Sequence, residues 1–360
     1  MTDMTGMTKQ EERELAKRLV AEIGRMAETA GRKLRFMEVC GTHTSSLYRS
    51  GIRQILSPKI TLLSGPGCPV CVTPTAYIDK LVSYAMTEGY KVLAFGDLLA
   101  VPGSRLSLSG ARDRGGRVDF FYNPEEGLAM AAKDRQTTYV LAAVGFETTA
   151  PVWADLVKRA YDENIGNIRF LTALKTMPEA MDILARDLHI DGFLCPGHVA
   201  VITGSRPFFH LAETSGKPMV IGGFTPPLLL RALSRLVLEA SRKKGGLWNE
   251  YPSVVREEGN PKALSLMHEI FEAGDAVWRG LGTIRGSGLY ISGKYEFLDA
   301  GSRGLTEDVM PKGCCCASVL TGRMVPQNCP CFGKACTPDH PVGACMVSGE
   351  GACSITYRGG

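Results

Sequence analysis

Cysteine is the residue type in this sequence with the clearest capacity for chemistry. The chain has 12 cysteines, and eight of them stand between residues 314 and 353, a segment called the tail below. Eight thiols exceed the four ligands that one tetrahedral ion needs. A [4Fe–4S] cluster takes four cysteines, and the others could form a redox pair beside it. The tail cysteines are Cys314, Cys315, Cys316, Cys329, Cys331, Cys336, Cys345 and Cys353.

Structural zinc is the alternative interpretation of the tail. Zinc is commonly held by four thiolates, and sequence spacing alone does not exclude it. Zinc ribbons usually carry two compact C-x-x-C knuckles, however, and the tail contains none. The spacing therefore favours an iron–sulfur cluster over zinc.

The other cysteines stand in the first two-thirds of the chain. Cys68 and Cys71 have the C-x-x-C spacing used both by redox dithiols and by metal half-sites. Cys40 precedes His43 in a Cys-Gly-Thr-His turn, and a third thiolate near a C-x-x-C pair makes a soft-metal site chemically reasonable. The alternative for His43 is a turn that hydrogen-bonds the start of a helix. For Cys195, which has no thiol neighbour in sequence, core packing is the expectation.

Two further groups are candidates for chemistry. Glu147 follows an apolar run in the segment Gly-Phe-Glu-Thr-Thr, and we predict a catalytic role for it. Its alternative role is structural, since hydroxyl and acidic side chains suit the start of a helix. His198 follows a Pro-Gly turn at a predicted strand end.

Apolar runs and helical periodicities alternate along most of the chain, which predicts an α/β fold with parallel sheets. Residues 9 to 29 have apolar positions at helical spacing. The predicted strands are 34–39, 60–64, 92–95, 118–122, 139–144, 168–172, 191–194 and 218–221. The predicted helices between them are 74–87, 125–133, 151–164, 178–188 and 227–243.

The length of 360 residues and a break near Gln136 predict three domains. Residues 1–135 form an N-terminal helix and a first Rossmann-like α/β domain, and residues 136–245 form a second. Residues 246–360 form a cysteine-rich iron–sulfur domain. Ligands bind beyond the carboxyl ends of parallel strands. Because the cysteine, histidine and acidic loops follow predicted strands, we expect the two α/β domains to face a cleft that these loops line.

Composition limits the class of protein. Apolar residues make up 44% and charged residues 22% of the chain, which is typical of globular proteins. The formal net charge of +4 is small and the cations are scattered, which argues against nucleic-acid binding. No apolar stretch has the length of a membrane span, and residues 1 to 30 lack a secretory signal. We therefore expect a cytoplasmic protein whose thiols are reduced or bind metal.

Five segments, in this order, resemble motifs of the HypD family of hydrogenase maturation factors. They are MEVCGTHT, GPGCPVCVTP, VGFETTAP, GFLCPGHV and CFGKACTPDHPVGACMVSGEGAC. The resemblance extends from about Arg35 to Cys353. It implies two α/β domains and a domain with a [4Fe–4S] cluster. It also implies a scaffold that, with a HypC-type chaperone, holds iron while cyanide and carbon monoxide are attached. Cyanide comes from a HypE-type donor, and the Fe(CN)2CO group passes to the hydrogenase large-subunit precursor.

The resemblance also implies roles for residues. Cys40 is an iron ligand with His43 close by, and Cys68 and Cys71 are a redox dithiol at the same metal site. Cys315 and Cys331 are additional to the family pattern. The cluster ligands come from six residues, of which four are needed: Cys314, Cys316, Cys329, Cys336, Cys345 and Cys353.

Two other functions fit the residues. An iron–sulfur thiol-disulfide reductase acting on protein partners needs the dithiol and the cluster but not Cys40. A zinc-stabilised interaction protein needs neither redox pair nor iron. In each case the tail holds the metal, so the nature of that metal separates the third function from the other two.

Overall fold

The computed structural model describes residues 8–359, and all structural statements below refer to them. The strands are β1 Leu34–Glu38, β2 Ile60–Ser64, β3 Tyr90–Phe95, β4 Val118–Phe121, β5 Thr138–Gly145, β6 Ile168–Lys175, β7 Gly192–Cys195, β8 Pro218–Ile221, β9 Gly246–Asn249, β10 Phe271–Trp278 and β11 Gly282–Ile291. The helices are α1 Lys9–Thr29, α2 Gly41–Arg49, α3 Ile52–Ile55, α4 Thr75–Ala85, α5 Leu108–Arg112, α6 Glu125–Lys133, α7 Ala150–Asp162, α8 Met177–Ala185, α9 Gly197–Thr203, α10 Arg206–Ser215, α11 Pro226–Ser241, α12 Pro261–Ile270, α13 Cys316–Leu320, α14 Ala344–Val347 and α15 Ala352–Gly359.

The first of two compact units contains the chain up to Gly67 and Met181–Gly259. Its sheet has the order β2-β1-β7-β8-β9, and each neighbouring pair is parallel. Helices α1 and α11 pack on this sheet, and their apolar faces form the core of the unit. The unit therefore has the α/β architecture that alternating strands and helices predict.

Helix α1 shows how local sequence sets these elements. The helix predicted over residues 9 to 29 is confirmed with the same bounds. Thr8 caps its start: the hydroxyl accepts from the N–H of Glu11, and the Glu11 carboxylate accepts from the N–H of Thr8. Ile23 and Ala27, one helical turn apart, are completely buried in the core.

The second unit contains Cys68–Ala180 and Asn260–Arg358. Its sheet has the order β10-β11-β6-β5-β3-β4, in which β3 to β6 are parallel and β10 and β11 form an antiparallel hairpin beside β6. Trp153 of α7 is buried under this sheet and makes edge contacts with Phe121 and Phe170. The aromatic rings fix the position of α7 on the sheet.

The fold class is confirmed as α/β with two mainly parallel sheets, but the division of the chain differs from the prediction. Residues 1–135 and 136–245 do not each form a sheet, because β1 pairs with β2 and with β7, while β3 pairs with β4 and β5. Residues 246–360 are not a separate third domain, since β9 belongs to the first sheet and the chain from Asn260 onwards to the second unit. Strand pairing is nonlocal, and a break in sequence pattern does not reveal it.

Helix lengths and hydropathies bear on a membrane location. Among residues 8–359, every helix is too short or too polar to cross a bilayer.

Candidate functional site

Cys40 stands at the carboxyl end of β1, where it is the last extended residue before α2. The chain after β2 approaches it very closely: a Cβ on Gly67 would lie 2.5 Å from the backbone N of Cys40. The N–H of Gly41 donates to the carbonyl of Gly67 at 3.1 Å. Only glycine allows two backbones to meet in this way. The loop after β1 is therefore held against Gly67 at the edge of the first sheet.

His43 lies on α2 and is completely buried. Its Nε2 donates to the carbonyl of Gly222 at 3.2 Å, and its ring stacks on Phe224 with centroids 4.4 Å apart. His198 stacks on the same Phe224 ring at 3.7 Å. Burial lowers the pKa of His43 to about 4, and burial also lowers the pKa of His198. His43 is therefore a neutral ring at pH 7.

Cys195 ends β7 and is completely buried. Burial raises the pKa of its thiol, and the sulfur lies 4.0 Å from the carbonyl oxygen of Phe193. These surroundings are those of a packed, protonated thiol. They agree with the core role expected from the sequence.

Cys68 and Cys71 form a disulfide in the second unit. They lie in the turn that precedes α4, and both are buried, with 3% of Cys68 and none of Cys71 exposed. The N–H of Cys71 points to the sulfur of Cys68 at 3.2 Å. A C-x-x-C pair ahead of a helix start is the arrangement found in redox dithiols.

The tail contacts this disulfide. The sulfur of Cys71 lies 3.9 Å from the carbonyl oxygen of Ala344, the residue before Cys345. The disulfide therefore contacts the residue directly before a tail cysteine.

The six candidate cluster ligands converge in the tail. Cys316 is buried and interacts through its sulfur with the thiols of Cys314 and Cys345. These hydrogen bonds lower the pKa of Cys316, and they raise the pKa of Cys314 and of Cys345. Cys345 interacts in turn with Cys353. One small cavity is lined by five of the six: Cys314, Cys316, Cys329, Cys336 and Cys353.

Backbone features of the tail suit a thiolate site. A Cβ on Gly343 would lie 2.6 Å from the sulfur of Cys314 and 2.7 Å from that of Cys316, so only glycine fits between these thiols. The N–H of Val342 donates to the sulfur of Cys336 at 3.3 Å. Hydrogen bonds to sulfur of this kind tune iron–sulfur clusters.

The donor set fits a soft metal centre. Thiolates are the ligands of [4Fe–4S] clusters and of zinc, and six thiols exceed what either needs. Within residues 8–359, no group of three or more His, Cys, Asp and Glu side chains is arranged to hold a metal ion. The cluster and its ligands therefore both stay predictions.

Cys315 and Cys331 lie at the border of this group, and Cys315 interacts through its sulfur with Cys329. Both are partly exposed, unlike the buried Cys316. The sulfur of Cys331 lies 3.2 Å from the position of a Cβ on Gly313, and that of Cys315 lies 3.9 Å from the Gly313 carbonyl oxygen. They are the two tail cysteines that are not among the six predicted cluster ligands.

Glu147 follows β5 and is almost completely buried. Its Oε1 accepts from the N–H of Met177 at 2.8 Å, and its Oε2 has no hydrogen-bond partner among the described residues. Burial raises its pKa to about 8. The structural alternative placed this carboxylate at the start of the helix that follows it. The carboxylate instead meets the start of α8, and its catalytic role stays a prediction.

Three residues of these sites were not predicted from the sequence. Phe224 separates the two histidine rings, Gly343 makes room for two thiols, and Arg279 is a buried cation beside the tail. Gly343 stands two residues before Cys345, and this proximity was the one available signal. Nothing local distinguishes Phe224 or Arg279 from ordinary core residues.

Two α/β units, one with a buried cysteine–histidine loop and the other with a disulfide beside a thiol group, define a protein equipped for thiol and soft-metal chemistry. The chain belongs to the HypD family of hydrogenase maturation factors. The family model described as HypD, hydrogenase formation hypA family, matches residues 14–360.

Similar proteins agree with this membership. The chain is 38% identical to the hydrogenase maturation factor HypD of Rhodobacter capsulatus, over 96% of this chain and 96% of that protein. It is 35% identical to the HypD proteins of Cupriavidus necator and of Escherichia coli K12, over 96% of this chain in both cases and 95% and 94% of those proteins. The similarity thus extends over nearly the whole of each protein.

Proposed function

We propose that this chain is an assembly scaffold with redox activity, which holds iron while the Fe(CN)2CO group of [NiFe]-hydrogenase is built. Its partners are a HypC-type chaperone, a HypE-type cyanide donor and, indirectly, the hydrogenase large-subunit precursor. Family membership supports a role in hydrogenase maturation. Reduced thiols suit the cytoplasm, where we expect the protein to act.

The observation that carries this proposal is the contact between the disulfide and the tail. The sulfur of Cys71 lies 3.9 Å from the carbonyl oxygen of Ala344, next to Cys345. A [4Fe–4S] cluster bound by tail cysteines supplies electrons one at a time. Cleavage of the Cys68–Cys71 bond takes two electrons and two protons and yields two thiols. This proximity supports the dithiol as an electron store beside the cluster.

The first unit offers the ligands for iron as cargo. Cys40 is 9% exposed at a strand end, and its sulfur is a soft donor that matches low-spin iron with cyanide and carbon monoxide. His43 is held neutral by burial, so it adds no positive charge near Cys40. For Glu147, a buried carboxyl with a raised pKa, we propose proton transfer during assembly.

Replacing Cys40 tests the scaffold function. We expect Cys40→Ala to abolish the cyanide and carbon monoxide infrared bands of the protein purified without oxygen together with its chaperone. The visible iron–sulfur absorbance should stay unchanged, because the cluster candidates all lie in the second unit. Cys195→Ala is the matched control, since Cys195 also ends a strand of the same sheet but is packed in the core. It should keep both signals.

Three results would contradict the proposal. If the infrared bands persist in Cys40→Ala, Cys40 is not the iron ligand. If the same variant loses the visible absorbance, the iron site and the cluster are not independent of each other. Loss of the infrared bands in Cys195→Ala shows that the effect of Cys40→Ala is not specific.

A thiol-disulfide reductase is the second candidate function. The contact of the Cys68–Cys71 disulfide with the tail favours it, because a reductase needs only a dithiol and a cluster, and both candidates lie in the second unit. This function needs no iron ligand in the first unit. A protein with the visible absorbance but without infrared bands, even with its chaperone, supports the reductase. A colourless protein that contains zinc supports the zinc-stabilised interaction protein instead.

A further inference from the structure

Arg279 is a buried cation in the turn between β10 and β11. Only 1% of it is exposed, which makes it one of the largest completely buried side chains of the described chain. A guanidinium stays charged in proteins, and burying such a charge is costly unless opposite charge and hydrogen-bond acceptors surround it. The role of Arg279 therefore depends on which acceptors surround its guanidinium.

The known partners of Arg279 leave most of its donors unused. Its Nε donates to Oδ1 of Asp308 at 3.2 Å, and Oδ1 also accepts from the N–H of Thr75 at 3.2 Å. Nη1 and Nη2, which carry four N–H groups, have no hydrogen-bond partner among residues 8–359. Buried donors without an acceptor cost free energy. The Nη1 and Nη2 groups of Arg279 are therefore available to donate to a further acceptor.

The backbone around Arg279 lies between the disulfide loop and the tail. The N–H of Arg279 donates to the carbonyl of Val72, the residue after Cys71, at 2.8 Å. Gly280 has a φ of +81°, and a Cβ on it would lie 2.6 Å from the Cα of Ala317, the residue after Cys316. Arg279 therefore lies next to the segments that carry Cys71 and Cys316, and the tail sulfurs are the candidate acceptors for its Nη groups.

We propose that Arg279 is a positioning residue for the tail, whose Nη groups donate hydrogen bonds to the thiolate and cluster sulfurs and whose charge stabilises their reduced, more negative state. The inference deepens the proposed function, because it assigns to the tail the charge that sets its reduction potential. It requires only that the tail hold a metal through thiolates. Arginine suits this role because its planar donors remain charged when buried.

Two isosteric substitutions test the electrostatic role. Arg279→Gln removes the cation, so the reduced state becomes less favourable and the midpoint potential of the cluster should fall. Asp308→Asn keeps an oxygen for Nε and for Thr75 but removes the opposing carboxylate, so the potential should rise. Each effect should change the reduction equilibrium about tenfold, which is about 59 mV for one electron. Electrochemical titration followed by electron paramagnetic resonance measures both.

The opposite signs of the two shifts in midpoint potential distinguish an electrostatic role of Arg279 from damage to the structure. Both variants break the same ion pair, so a merely structural role moves the two potentials in the same direction or leaves both unchanged. Either result overturns the proposal. Arg279→Lys keeps the charge and should restore most of the potential lost in Arg279→Gln. Arg235→Gln removes an arginine that donates to glutamates in the first unit and should not move the potential.

A cobalt titration distinguishes failure of this inference from failure of the proposed function. If the wild-type protein binds no iron–sulfur cluster, the reduced protein is titrated with Co²⁺, whose thiolate complexes absorb visible light. Four thiolates around Co²⁺ carry a net negative charge, so Arg279→Gln should weaken binding about tenfold and Asp308→Asn should strengthen it. Weaker Co²⁺ binding by Arg279→Gln and stronger binding by Asp308→Asn would support the role of Arg279 in a protein that binds no cluster. Equal affinities in the three proteins refute it.

Discussion

The cysteines of the two units differ in how they are surrounded. In the first unit, Cys195 is packed alone in the core, and burial raises its pKa. In the second unit, Cys316 interacts with two other thiols, and its pKa is lowered. Burial alone thus keeps a thiol protonated, whereas in a group of buried thiols one member, Cys316, is stabilised as a thiolate while the pKa values of its partners Cys314 and Cys345 are raised. The number of neighbouring thiols, and not exposure, separates an inert cysteine from a candidate metal ligand.

The close-packed glycines of the two units sharpen this comparison. Gly67 lets backbone meet backbone beside Cys40, while Gly343 leaves room for two sulfurs. We expect Gly343→Ala to displace Cys314 and Cys316 and to weaken metal binding by the tail about tenfold or more. Iron content and visible absorbance after anaerobic reconstitution measure the loss.

Gly349→Ala is the matched control in the same tail. A Cβ on Gly349 has no atom within 4 Å, so this variant should bind metal as the wild type does. If both alanine variants retain the metal, the thiols that flank Gly343 are not ligands.

Glu147 and His43 make the units respond to pH in opposite directions. The folded protein holds the proton of Glu147 up to a pKa of about 8, while the unfolded chain releases it near 4.5. Stability therefore falls as pH rises from 4.5 to 8, by on the order of 5 kcal/mol. Glu147→Gln should remove this dependence and keep an acceptor for the N–H of Met177. Urea unfolding of both proteins across this range measures it, and parallel curves would show that the carboxyl is ionised when folded.

His43 gives the smaller effect, with the opposite sign. Its folded pKa of about 4 lies below the ordinary 6.5, so the unfolded chain binds the proton first as pH falls. Stability is thus lost from pH 6.5 down to 4, by on the order of 3 kcal/mol. His43→Gln keeps an N–H for the Gly222 carbonyl and should remove the loss.

The same unfolding measurement on His198→Gln provides the control for His43. His198 is exposed although it stacks on Phe224, so its substitution should change the pH dependence less. An equal change in both variants would assign the effect to the stack as a whole.

Local sequence predicted the elements better than their arrangement. The strands at residues 60–64 and 218–221 have the predicted bounds, because short apolar runs flanked by turns are a local signal. Strands β10 and β11 were missed, since each mixes buried and exposed positions without regular alternation and β11 contains three glycines. Which strand pairs with which depends on contacts between distant residues, and periodicity carries no information about them.

The candidate sites follow the same rule. Cysteine spacing predicted the tail and the C-x-x-C pair, because the residue type itself is the signal. The unpartnered donors of Arg279 and the space that Gly343 leaves for sulfur depend on neighbours that only the fold supplies. The sequence identifies candidate residues for chemistry, and the fold determines the charges around them.

The interleaving of the two units has a consequence for synthesis on the ribosome. Strands β1 and β2 emerge early, but their sheet lacks β7 until the chain has grown from Ser64 to Gly192. At about 5–20 residues per second, translation of that segment takes on the order of ten seconds. During this time the unpaired edge of β1 can pair with another nascent chain. The yield of folded protein should therefore depend on chaperones that shield this edge and on the local speed of translation.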